Sequence, residues 1–163
     1  MDLNETVSPV EAAEDIVNAY FGRESCRLEV CLSNDAFFNP SSNRVHVPLL
    51  SQYPNAESYY STLFHEMIHS TGLPLGRDLS GLHGDHRYSE EELVAEMGAA
   101  FLLARCGIDT DQTMANSSAY IDFWRRKISQ DIKLIVVAAA RAEKAAKFIL
   151  GELDVEQRES QAA

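Results

Sequence analysis

The stretch Ser61 to Gly72, STLFHEMIHSTG, holds residues whose types and spacing suit a hydrolytic metal site. His65 and His69 stand four apart, so on a helix both imidazoles leave one face about a turn from each other and can grip one metal ion. Glu66 directly follows the first histidine. A carboxylate there can take a proton from water without being a ligand itself, which is the position a general base needs in metal-assisted hydrolysis. Leu63, Phe64, Met67 and Ile68 supply an apolar face that buries the helix with its ligands turned to a cleft, and Thr71-Gly72 stop it. The plain alternative is a chance pair of histidines beside a solvated glutamate. A third ligand elsewhere in the chain would argue against that.

Ser89-Glu90-Glu91-Glu92 opens a second helix with Ser89 as N-cap, and the stripe Leu93, Met97, Ala100, Phe101 and Ala104 carries it to Gly107. Acidic residues in a first turn complement the helix dipole, and this accounts for Glu90 and Glu91. Glu96 falls among apolar neighbours, where an unpaired carboxylate would be costly to bury. Glu92 as third metal ligand, with Glu96 accepting the outer N–H of a ligand histidine, gives both a role. Such a His2Glu set suits zinc and leaves a fourth position for water. Between the helices, Leu73 to Tyr88 is a glycine-rich loop without steady periodicity. Its His83, Asp85 and His86 read as polar surface, because ligands on loops are less well oriented than ligands on helices. Tyr88, one turn before Glu92, is the first candidate to stabilise an oxyanion, with His83, His86 and Arg77 in reserve.

Other elements must position these groups. A first helix is signalled by Ser8 as N-cap, Pro9 at the first helical position and Glu11 completing a capping box; Val10, Ala13, Ile16, Val17 and Tyr20 form its inner stripe, and Gly22 closes it. Arg27 to Leu32 alternates like a half-buried strand, with Leu28, Val30 and Leu32 on one side. Strands around Ala36-Phe38 and Arg44-Val47 flank the turn formers Asn39 to Asn43 and read as a hairpin ended by Pro48. RVHV could be an exposed edge that aligns a peptide, while His46 itself is an outward structural residue. Tyr59 and Tyr60 pack on the first turn of the motif helix. Ser117 or Ser118 caps a helix anchored by Trp124, the basic run Arg125 to Lys127 is a solvated face, and a last helix runs from Ile132 to Leu150 before Gly151.

Composition bounds the function. The length of 163 residues suits one domain, residues 1–151, with 152–163 as a disordered tail. Apolar residues make up 45% and charged residues 24%, no apolar run reaches membrane-spanning length, and the N-terminus is acidic where a secretory signal is basic. Cys26, Cys31 and Cys106 show no Cys-x-x-Cys spacing, so cytoplasmic thiols are expected. A net charge of −11 opposes nucleic acid and anionic membrane, which makes a protein or peptide the expected partner.

From Phe37 to Leu150 the chain resembles the zincin-like metallopeptidase domain of the plasmid anti-restriction protein ArdC and its polyvalent-protein relatives. The resemblance is carried by FFNPSSNRVHVP, ESYYSTLFHEMIHSTG, YSEEELVAEMGAAFLLARCGI, AYIDFWRRKI and the alanine-rich last helix. It implies a helix-rich α+β fold with a small antiparallel sheet ahead of the HExxH helix. It also implies one zinc ion on His65 and His69, Glu66 as catalytic base, peptide hydrolysis, and a link to anti-restriction. The form Glu-x-x-Ala-acidic is similar to the ligand helix of other Glu-zincins, which favours Glu92 over Glu91. ArdC-like proteins usually carry a single-strand DNA-binding domain ahead of this one. Here little precedes the hairpin and no basic patch with interleaved aromatics takes its place, so direct nucleic-acid binding is not expected. The rival function is a non-hydrolytic acidic binding protein with a structural metal; its carboxylates would be spaced along one face, and Glu66 would have no purpose.

Overall fold

A computed structural model describes residues 7–80, 90–108, 129 and 132–153. In chain order it has helix α1 (Glu11–Arg23), strands β1 (Arg27–Cys31), β2 (Phe37–Asn39) and β3 (Arg44–Pro48), a short 3-10 turn, and helices α2 (Ala56–Ser70), α3 (Glu90–Arg105) and α4 (Ile132–Ile149). α2 is central: β2 and β3 cover one side of it, α3 lies on another, and α3 packs in turn on α4. The buried aromatics Tyr20, Tyr60 and Phe64 join Leu63, Met67, Ile68, Val45 and Val47 in one core.

The sheet is mixed and not wholly antiparallel as expected. β2 and β3 form the hairpin, with Phe38 opposite Val45, but β1 pairs parallel to β3, with Leu28 opposite Val45. The order β1-β3-β2 makes RVHV the central strand, so it cannot add a peptide; β2 and β1 are the edges. Val30 and Leu32, expected inside, are 40% and 63% exposed, because α2 covers β3 and β2 while β1 lies beyond it. His46 faces away from the helices, bonded to Glu29 at 3.1 Å and stacked on Phe37.

α1 starts later than its capping signal implies. Val10, not Ser8, is the N-cap: its backbone is extended and its N–H donates to Tyr60 Oη at 3.2 Å, so a tertiary bond overrides the local box. The helix runs past Gly22 to Arg23, whose guanidinium donates to the carbonyls of Phe148 and Ile149 and satisfies the end of α4. Gly151, at φ 72°, adopts the left-handed conformation that stops α4. The helix containing Trp124 and the tail beyond Leu153 lie outside the described residues.

α3 is rotated relative to its expected stripe. The buried positions are Glu91, Leu93, Val94, Ala95, Gly98, Ala99, Leu102 and Leu103, whereas Phe101 is 45% exposed and Ala100 and Ala104 face outward. The reason is close packing on α2. A Cβ on Gly98 would come within 2.6 Å of Ile68 Cδ1, so the contact face is the small-residue face and not the bulkier one. Among the described residues no helix is long and apolar enough to cross a membrane.

Candidate metal centre

Asn55 caps α2, its side chain accepting from Ser58 N–H at 2.8 Å, and Leu63, Phe64, Met67 and Ile68 seat the helix in the core. That phase sets His65 and His69 along the border facing α3 and turns Glu66 toward β2. The two Nε2 atoms lie 3.0 Å apart. Glu92, on the first turn of α3, reaches both: Oε2 is 3.3 Å from His65 Nε2 and Oε1 is 3.4 Å from His69 Nε2. One donor atom from each of His65, His69 and Glu92 lies within 4.8 Å of the others.

The outer nitrogens are also engaged. His65 Nδ1 stands 3.3 Å from Glu96 Oε1, and His69 Nδ1 stands 3.2 Å from Glu91 Oε1. Ionised carboxylates only accept, so both Nδ1 atoms carry a hydrogen, and in the neutral imidazoles both Nε2 lone pairs point inward at Glu92. With both imidazoles neutral, three acceptors face one another with no donor between them, an arrangement that a divalent cation completes.

The carboxylate that orients His69 is Glu91, which the sequence assigned only to the helix dipole. It is buried and gripped by Arg77, whose Nε and Nη2 donate to its two oxygens at 2.9 Å each. The same guanidinium donates to Thr71 Oγ1 at 2.8 Å and to the Ile68 carbonyl at 2.7 Å, satisfying the end of α2. Arg77 is therefore committed to a clamp between α2 and α3 and is not available as an oxyanion donor. Tyr88, His83, Asp85 and His86 lie outside the described residues. A basic residue seven positions beyond a helix end, together with an acid on the small-residue face of the next helix, is the signal that could have exposed this pair.

Electrostatics follow from the crowding of carboxylates. Burial alone would lower His65, but Glu92 and Glu96 outweigh it and raise its pKa to about 10. His69 is raised likewise, burial opposing and Glu91 and Glu92 prevailing. Burial would lift Glu92, yet the two imidazoles hold it far below the usual carboxylate range. The field at this spot favours positive charge, which a proton supplies in the free protein and a metal cation can supply better. Glu66 is displaced the other way: burial pushes its carboxyl up, against the pull of His65 and His69, and it accepts the Phe38 backbone N–H of edge strand β2.

Comparisons with known proteins place the fold in a family. The model of a family described as "Zincin-like metallopeptidase" matches residues 15–142. A DNA primase TraC of Escherichia coli is 36% identical over 148 residues, covering 90% of this chain and 13% of that protein, and a second TraC is 31% identical over 10% of its length. An uncharacterized protein y4eC of Sinorhizobium fredii is 29% identical over 77% of this chain. The chain thus spans about a tenth of the length of the primases it matches. Among solved structures, the Mn(II)-bound antirestriction protein ArdC from plasmid R388 superposes with a TM-score of 0.65 at 32% identity, covering 91% of this chain and 55% of that one. Its metal-free form gives 0.61 at 30% identity. With the family model matched across α2, α3 and the sheet, this chain belongs to the zincin-like metallopeptidase family.

Proposed function

We propose that the chain is a zinc-dependent peptidase of the cytoplasm acting on a protein substrate, with His65, His69 and Glu92 as ligands. The observation that carries this function is Glu66: a half-buried carboxylate beside the ligand cluster, outside the set of three, bonded to the edge strand. A metal that only braced the fold would have no use for it. Zinc on this donor set, when bound, supplies Lewis-acid polarisation of a carbonyl and a lowered pKa for water.

The chain's own residues do the rest. Glu66, pushed upward chiefly by burial, takes the proton of the attacking water and returns it to the leaving amine. β2, with one side free of strand partners among the described residues, pairs with an extended peptide and brings its carbonyl beside Glu66. Glu96 and the Arg77–Glu91 clamp keep the imidazoles turned inward. Tyr88 is the proposed oxyanion donor. The antirestriction name of the solved relative supports a role on the same side of biology for this chain, and its Mn(II) makes manganese the ion to compare with zinc. Glu66→Gln tests the mechanism: it should keep zinc and fold, while casein hydrolysis falls by roughly 10²- to 10⁴-fold. A variant that cleaves as fast as the parent would refute the assignment.

A further inference from the structure

Beside Glu66 lies a cavity of about 350 Å³ lined in part by Asn34, Ala36, Pro48, Gln52, Tyr53 and Thr62. Two features tie it to the reacting centre. Thr62 is one turn before Glu66 on the same face of α2, and Ala36 immediately precedes β2, whose Phe38 N–H holds the Glu66 carboxylate. A peptide laid along β2 with its carbonyl at Glu66 therefore drops a neighbouring side chain here.

The lining decides which side chain fits. Among the described residues none that lines the cavity is charged, so against these walls a lysine or glutamate would be desolvated without a counter-charge, and a carboxylate would also meet the field of Glu66 and Glu92. The walls are polar but mostly spent. Gln52 Oε1 accepts from Ser33 and Leu49 N–H, and its Nε2 donates to the Ser33 carbonyl at 2.6 Å. Thr62 Oγ1 donates to the Ser58 carbonyl at 3.0 Å, which spends its one hydrogen, and it stands beside the Tyr53 hydroxyl. This leaves the Tyr53 hydroxyl and the exposed Asn34 amide, each able to donate and accept. A carboxamide, with N–H and C=O at one end, matches that pair; an aliphatic side chain would leave it unanswered.

We infer that this cavity is a specificity pocket selecting a carboxamide side chain, glutamine or asparagine, next to the scissile bond. The inference rests on the peptidase function proposed above. It is tested on the zinc-loaded full chain by calorimetry with acetohydroxamate and with amino-acid hydroxamates carrying glutamine, leucine, glutamate or lysine side chains. Glutamine should bind about ten-fold more tightly than the other three. Asn34→Ala and Tyr53→Phe should each reduce the preference over leucine to roughly two-fold while leaving acetohydroxamate affinity unchanged. Leucine, glutamate or lysine binding as tightly as glutamine would overturn the pocket alone, as would variants that keep the preference intact. Failure of acetohydroxamate itself to bind would instead overturn the metal site, and the pocket's role with it.

Discussion

Glu91 and Glu92 are adjacent in sequence yet do different work, because one helical step turns a side chain by about 100°. Glu92 faces the two Nε2 atoms, while Glu91 turns into the α2–α3 seam, where His69 Nδ1 and Arg77 meet it. Glu92→Ala should abolish stable zinc binding, since two remaining ligands hold the ion poorly. Glu96→Ala and Glu91→Ala should each weaken affinity on the order of 10- to 100-fold by freeing an imidazole. Only Glu91→Ala should also destabilise the fold, by about 3–5 kcal/mol, because it strands the buried Arg77. Competition with a fluorescent zinc chelator and thermal melts separate the three; a Glu91→Ala protein with parental affinity and melting temperature would refute the clamp. The cluster of His65, His69 and Glu92 was legible because residues that can share a metal leave a spacing in the sequence. Glu91 was not, because its partner comes from a loop and nothing local distinguishes a buried acid from a capping one.

The phase of α3 decides which carboxylate goes where, and that phase is set by Gly98. Its missing side chain admits Ile68, and Ala95 and Ala99 continue the same small face. The sequence pattern favoured the face with Met97 and Phe101 because bulk ordinarily marks the inside. Here closeness to α2 outranks bulk, and the rotation carries Glu91 inward. Gly98→Val should therefore cost about 1–3 kcal/mol through overpacking and should also loosen zinc, because it levers Glu91 and Glu92 away from the histidines. Gly98→Val with Ile68→Ala should recover part of both losses. Affinity unchanged in the single variant would show that the seam does not position the site. The sheet was legible in the same partial way. The turn formers between β2 and β3 announce a hairpin, but its order with β1 depends on a parallel pairing that no local residue encodes.

At the scale of the whole molecule, net charge bears on which partners can approach, and the candidate ligands His65, His69 and Glu92 bridge α2 and α3. With a net charge of −11, the chain should show no single-strand DNA shift at physiological salt; tight, salt-sensitive binding would contradict a protein substrate. Metal, protons and fold are linked at His65. In the metal-free protein burial opposes its charge, but Glu92 and Glu96 raise its pKa to about 10, against a value near 6.5 in an unfolded chain. A raised folded pKa contributes stability that is full below pH ~6.5 and is lost as pH climbs through about 10. Zinc needs the neutral imidazole, so it competes with that proton and binds more tightly over the same window. Chelator-treated protein should therefore lose stability between pH ~6.5 and ~8.5 while the zinc-loaded protein gains relative to it, by mass action on the folded state. The gap in melting temperature between the two forms should widen with pH, and groups that titrate alike in both forms cancel from that gap. Glu92→Ala should flatten the dependence, since it removes a ligand and one of the two carboxylates that hold the proton. A gap that narrows as pH rises would mean that the proton and the metal do not share this site.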